Sequence, residues 1–394
     1  MFVRVPEIRP LTGLRAVLAL WVVFQHFVRE LLPEGIVQQA VAGGHVAVHV
    51  FFVLSGYVLA VQYSDVDVGA AAERRAFWWR RFVRLYPLYL CSLLLGLVAR
   101  WPRSWVALQT IEGATRGVMQ LCVLNAWWHV AMFPLNFAAW TLSAEMFFYL
   151  LFPMLLPRFS RFSDRGLCLA LGVATALTLV APALYTILDP DEIGHRLAFN
   201  EDHVWARYLN FGAPHRVPEF VAGIAAALLV QRGWFAKIRG SIVSSVLAST
   251  FLVLLASLPL IPFAYIGGSI LLPIVVVLIV SLDHTRPSWL ASRPAVALGR
   301  ASYATYILHV PFFFASQELG PHPDDMWQRP LDVGVYVATL FPVSLLAHRW
   351  IEVPLQKLLT RAPAAGPNQV EAHSLTPTAT ATSARAAAEH SRER

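Results

Sequence analysis

Eleven apolar segments recur along this chain, at residues 11–27, 44–63, 85–99, 105–124, 139–156, 166–188, 217–230, 242–258, 263–282, 295–316 and 331–350. A helix needs about 20 mostly apolar residues to cross a bilayer. A single water-soluble core cannot absorb that many such runs. Membrane β-strands would instead show short alternating patterns. Charged residues make up 14% of the chain and hydrophobic ones 57%. An ordinary soluble domain carries about 25% charged residues. The sequence therefore predicts an all-α, polytopic transmembrane helical bundle. The first apolar run contains Arg15 and His26 and lacks a small-residue cleavage site, so no cleavable signal peptide is expected.

The net charge of +7 is not a nucleic-acid footprint, because the cations sit in short loops on alternate sides of the apolar segments. By the positive-inside rule these loops face the cytoplasm. They contain Arg4 and Arg9, then Arg74, Arg75, Arg80, Arg81 and Arg84, then Arg158, Arg161 and Arg165. Further along come Arg232, Lys237 and Arg239, then Arg286 and Arg293, and finally Lys357 and Arg361. Acidic loops lie between them, with Glu30 and Glu34, Asp189 to Asp202, and Glu318 to Asp325. This alternation leaves room for one crossing between Arg100 and Arg158, although two segments are available. Segment 105–124 carries Gln109, Glu112, Arg116 and Gln120, so it is set aside as an interfacial or re-entrant segment. About ten spanning helices remain, with both termini cytoplasmic in the inner, or cytoplasmic, membrane.

Residues 70–84 interleave arginines with Phe77, Trp78, Trp79 and Phe82, which reads as a helix lying at the cytoplasmic interface. Residues 1–361 form one membrane domain on this reading. Residues 362–394, rich in Ala, Thr, Ser and Pro, form a disordered cytoplasmic tail. The three cysteines, Cys91, Cys122 and Cys168, read as small buried hydrophobes.

Ionisable groups at membrane depth are costly, and they normally face a protein interior or a wet cavity. Arg15 and His26 are eleven residues apart, almost three whole turns, so they share one helix face about 16 Å apart along the axis. Imidazole is the natural general base near neutral pH, and His26 is the best candidate for activating a hydroxyl. A packed, hydrogen-bonded histidine is the competing reading. Glu145, inside segment 139–156, either forms a structural ion pair or orients His26. Arg80, Arg81 and Arg84 either form an ordinary basic flank or bind phosphate, to which the planar guanidinium fork is suited. Ser55 and Gly56 read as small residues for close helix approach rather than as chemistry. His309, beside Pro311, reads first as a packing residue. No His, Cys and Asp cluster has metal-ligand spacing, and no glycine-rich phosphate loop follows a strand.

Five motifs in order carry a resemblance: Leu14-Arg15 through His26; Phe51 to Gly56; Arg80 to Pro87; Trp140 to Glu145 with Phe148 and Tyr149; and Leu298 to Tyr303 followed by Tyr306 and His309. In these the chain resembles the acyltransferase-3 family of integral membrane O-acyltransferases, over nearly its whole length. The resemblance implies about ten core helices and acyl-coenzyme A as donor. It also implies an essential Arg–His pair at Arg15 and His26, and an arginine motif at Arg81 and Arg84. Many members carry an acidic residue where this chain has His49, which makes Glu145 the expected partner of His26. Some members add an extracytoplasmic hydrolase-like domain, and none is recognisable in this chain.

The expected activity is transfer of an acyl group, acetyl above all, from cytosolic acyl-coenzyme A to a hydroxyl of a carbohydrate or glycosylated acceptor. Arg80, Arg81 and Arg84 would hold the donor, and His26 would act as base with Arg15 and Glu145 beside it. The remaining expected partners are membrane lipids, and a homo-oligomer is compatible with this reading. The rival readings are a proton-coupled transporter or exporter of a lipid-linked saccharide, and a scaffold without chemistry. Internal repeats that many carriers show are not seen.

Overall fold

The computed structural model describes residues 7–101, 103–127, 135–192, 203–235, 271–319 and 330–360. Among these residues the only regular structure is helical. The helices are α1 (Arg9–Phe27), α2 (Ile36–Ala42), α3 (Val46–Gln62), α4 (Ala71–Ala99), α5 (Arg103–Leu108), α6 (Ile111–Leu121), α7 (Trp140–Ser160) and α8 (Asp164–Leu188). They continue with α9 (Val204–Phe211), α10 (Val217–Gln231), α11 (Leu272–Thr285), α12 (Arg293–Arg300), α13 (Ser302–Leu319), α14 (Pro330–Ala347) and α15 (Val353–Leu359). Among the described residues, seven helical stretches are long and apolar enough to cross a membrane: Arg9–Phe27, Ile36–Gln62, Ala71–Ala99, Phe137–Ser160, Asp164–Leu188, Ala213–Gln231 and Pro330–Leu359. Of the ten crossings expected, segment 242–258 and the start of segment 263–282 lie outside the described residues, as does the expected tail 362–394.

Local chemistry sets the boundaries of these helices. Pro10 opens α1, where its missing N–H costs nothing. Ser163 and Ser292 cap α8 and α12 by accepting from the N–H groups of Gly166 and Ala295. On α8 the large apolar side chains Leu169, Val173, Leu177, Val180 and Leu184 are all exposed. Their spacing of three to four residues makes one continuous stripe, and such a stripe needs lipid to cover it.

At the centre, α3 and α10 cross with their backbones in contact. A Cβ added at Gly56 would lie 2.0 Å from the carbonyl oxygen of Phe220, and one added at Gly223 would lie 2.0 Å from that of Val53. These reciprocal glycines fulfil the close approach expected around Gly56. Gly223→Val is expected to cost at least the ~1–3 kcal/mol of ordinary overpacking. It should reduce the monodisperse fraction recovered in size-exclusion chromatography several-fold. A wild-type profile would show that the crossing relaxes easily.

Two expectations about the elements, and one about a cysteine, are corrected. Residues 70–84 are not a separate interfacial helix but the first half of the 29-residue α4. Phe77, Arg81, Leu85 and Leu88 recur at helical spacing and are all buried, so the bundle holds this half upright. Trp78 Nε1 also donates to the carbonyl oxygen of Tyr149 on α7, at 3.0 Å. Segment 105–124 forms α5 and α6, of 6 and 11 residues, with Thr110 capping α6; neither is long enough to span, in keeping with its exclusion from the crossings. Segment 295–316 is interrupted at Ala301, so α13 starts afresh at Ser302. Among the cysteines, Cys91 and Cys168 are half-buried, but Cys122 is exposed at the end of α6.

Candidate active site

The inward faces of α1, α3, α4, α7, α12 and α13 enclose a cavity of about 360 Å³. Arg15, Arg81, Arg84 and Glu145 all line it. These four come from three helices that lie far apart in sequence. Arg81 is buried under aromatic rings, its guanidinium carbon 5.5 Å from the Tyr63 and Phe77 ring centres and 5.6 Å from that of Tyr149. Stacked cations of this kind gain from the ring quadrupoles. Arg81 Nη2 donates to Gln62 Oε1 at 3.3 Å, whereas its buried Nε has no hydrogen-bond partner among the described residues. Arg15 Nε donates to Ser302 Oγ at 3.3 Å. Glu145 accepts from the hydroxyl of Tyr149, one turn further along α7.

Glu7 and Arg300 also line the cavity, beyond the membrane-spanning part of α1. Arg300 donates twice to the Glu7 carboxylate, at 3.1 and 2.5 Å, and Thr12 Oγ1 donates to it at 3.1 Å. The Arg300 guanidinium holds the Glu7 carboxyl below the usual glutamate range. Because the folded group is the stronger acid, the pair stabilises fully above about pH 4.3 and fades as pH falls through the depressed folded value. In Glu7→Gln, stability at neutral pH should drop by less than about 1 kcal/mol, as for exposed pairs. The acid limb of its melting-temperature profile should also flatten. A limb identical to wild type would show that another carboxylate controls it.

His26 lies elsewhere, since neither it nor His309 lines the cavity. The His26 ring is 5.3 Å from those of both His309 and Phe137, and 6.0 Å from that of Phe27. Tyr306 joins the two places. It lines the cavity, and its ring centre is 5.5 Å from that of His309. The expected pairing of His26 with Glu145 is thus replaced, because Glu145 engages Tyr149 and the imidazole beside His26 is His309. Arg80 is also outside the cavity wall, with its Nη2 3.7 Å from Glu73 Oε2.

The family model described as an acyltransferase domain, acyltransferase 3, matches residues 9–349. The chain belongs to the acyltransferase-3 family. An acyltransferase MdmB from Streptomyces mycarofaciens is 30% identical over 78% of this chain and 79% of its own length. An O-acetyltransferase OatA from Staphylococcus aureus is 24% identical over 88% of this chain and 57% of its own. A peptidoglycan O-acetyltransferase OatA from Listeria monocytogenes is 24% identical over 80% of this chain and 52% of its own. The chain therefore spans little more than half the length of the OatA relatives. No solved structure matches it. This acyltransferase-3 chain is an acyltransferase built as a multi-pass membrane protein.

The acyltransferase-3 resemblance left His49 without a role, and the fold supplies one. Its Nδ1 lies 2.9 Å from Glu219 Oε1 and 3.1 Å from Arg216 Nη1, and Arg216 Nη1 donates to Glu219 Oε1 at 2.9 Å. All three side chains are buried. The carboxylate opposite His49 comes from α10, 170 residues away. Arg216-x-x-Glu219 at the start of an apolar segment was the available signal, at the spacing of helix neighbours. Gln62, Tyr149 and Tyr306 are cavity residues that the motif reading did not single out for roles. Of these, Tyr149 was detectable as the i+4 neighbour of Glu145.

Proposed function

We propose that the chain moves an acyl group, acetyl above all, from cytosolic acyl-coenzyme A to a hydroxyl of a sugar-containing acceptor at or beyond the membrane. The observation that carries this reading is the convergence of Arg15, Arg81 and Arg84 in one cavity whose lining residue Tyr306 packs against His309, the ring beside His26. Three inward cations in a helical bundle need an anion, and the buried Nε of Arg81 offers a donor without an acceptor. The phosphates of acyl-coenzyme A meet that need, with guanidinium forks gripping oxygen pairs. A cavity of about 360 Å³ suits the slim thioester arm, and the nucleotide end stays near Glu7 and Arg300. The positive-inside rule supports a cytosolic location for that end, with both termini on the same side.

The chemistry then needs the thioester carbonyl to pass Tyr306 and meet the acceptor beside His26. His26 removes the hydroxyl proton as oxygen attacks the carbonyl carbon, the carbon–sulfur bond breaks, and the thiolate is protonated. Glu145 and Tyr149 line the donor side and take no proton in this scheme. The names of the relatives favour an acetyl donor and, in the Listeria protein, a glycan polymer as acceptor.

Purified protein in lipid vesicles, given acetyl-coenzyme A and candidate glycosylated acceptors, should release free thiol only when an acceptor is present. Mass spectrometry of the acceptor should show the gain of one acetyl group. Saccharide uptake without thiol release would replace this reading with a carrier.

A further inference from the structure

Among the described residues, His309 is the buried imidazole next to His26, and the scheme above gives it no task. Its position is strictly fixed. Pro311 lies inside α13 and has no N–H for the carbonyl of Ile307. Asn136 Nδ2 donates to that freed carbonyl instead, at 2.8 Å. Tyr336 donates its hydroxyl to the carbonyl of His309 itself at 2.6 Å. The backbone on both sides of the ring is therefore clamped by side chains from other elements. The side chain is 0% exposed. Its Nδ1 lies 2.5 Å from the carbonyl oxygen of Tyr306. A carbonyl only accepts, so Nδ1 carries the proton and Nε2 is an acceptor. That Nε2 is buried and has no hydrogen-bond partner among the described residues. A buried acceptor without a donor is costly, and in native proteins it calls for an explanation.

The nearest ring that can donate is His26, with centroids 5.3 Å apart and planes 31° from parallel. The geometry points to His309 as the positioning residue for His26. A small side-chain rotation lets His309 Nε2 accept the N–H of His26, with or without substrates bound. That fixes the tautomer in which the other His26 nitrogen faces the acceptor hydroxyl. It also steadies the imidazolium formed when the hydroxyl proton arrives. Transfer stays balanced: the O–H bond breaks towards His26, the new O–C bond forms, the C–S bond breaks with its electron pair on sulfur, and His26 returns the proton to give the thiol. His309 keeps its own proton on Tyr306 throughout. This is the orienting task that a carboxylate performs in hydrolytic triads, done by a neutral ring where a buried charge would be expensive.

The inference rests on His26 being the base, so its test has one arm without turnover. His309→Phe keeps an aromatic ring but no acceptor, and His309→Gln restores an acceptor oxygen. In the full-length protein, His309→Phe should lower kcat about 100-fold while leaving the donor KM within about threefold. His309→Gln should recover at least tenfold of that loss. In the second arm, diethyl pyrocarbonate labelling of His26 is followed by peptide mass spectrometry in folded protein without substrates. His26 should label several-fold more slowly in His309→Phe than in wild type or His309→Gln. Unchanged His26 labelling in His309→Phe would overturn the proposal. So would equal activity losses in both variants that track their melting temperatures. If wild type shows no acyl transfer at all, the labelling arm still decides whether the two rings are coupled.

Discussion

Replacing His26 with Ala is expected to cut acyl transfer close to background while the protein still folds. A positioned general base contributes about 10²–10⁴ in rate. With an alcohol nucleophile in a water-poor site, the loss should sit near the upper end of that range. His26 is half-buried near the end of α1, flanked by Phe27 and Phe137, so removing its ring opens a gap. His26→Gln and His26→Phe fill that space and separate packing from chemistry. All three variants should lose kcat, while the fillers retain wild-type melting behaviour. The donor KM should stay within a few-fold, because the arginine end is about 16 Å away along the helix. Full turnover in any of the three would remove His26 from the reaction.

The second large effect is expected at the other end. Arg81→Ala and Arg84→Ala should each raise the donor KM by about 10- to 100-fold, since a hydrogen bond to a charged group is worth about 1.5–3 kcal/mol. Arg81→Lys should recover little, because an ammonium lacks the planar fork and stacks poorly between Tyr63, Phe77 and Tyr149. Arg80→Ala is the internal control. It removes a cation next in sequence that pairs with Glu73 outside the cavity wall, and its KM should stay within about threefold of wild type. Equal KM increases for Arg80→Ala and Arg81→Ala would mean that the basic flank attracts the donor diffusely rather than binding it.

The contrast between Arg80 and Arg81 also shows what the sequence could convey. Adjacent helix residues point about 100° apart. Only Arg81 and Arg84 share a stripe with Phe77 and Leu88, a periodicity that could have set Arg80 apart, although the sequence reading kept all three together. The shared face of Arg15 and His26 was legible for the same reason, as was the helical membrane architecture from its apolar segments. The partners of His49 and His26 were not legible. Glu219 reaches His49 from 170 residues away and His309 reaches His26 from the far end of the chain, so no local spacing encodes either contact. The interfacial reading of residues 70–84 failed because a basic, aromatic pattern suits a lipid surface and an inward-facing helix equally well. Only the packing of Phe77 against Tyr63 and Phe152 separates the two.

The Tyr306 side chain has a further consequence for the membrane that houses the reaction. A water-filled passage open at both ends would conduct ions and discharge the gradients the cell maintains. Tyr306 lines the donor cavity on one side and packs against His309 on the other, and Phe27, Phe313 and Tyr336 crowd together behind it. The cavity and the imidazole pair are thus separated by aromatic side chains. A flat thioester can cross such a layer by displacing a ring, whereas a hydrated ion would have to shed its water. On the proposed function, the bilayer would stay electrically sealed while a group is handed across it.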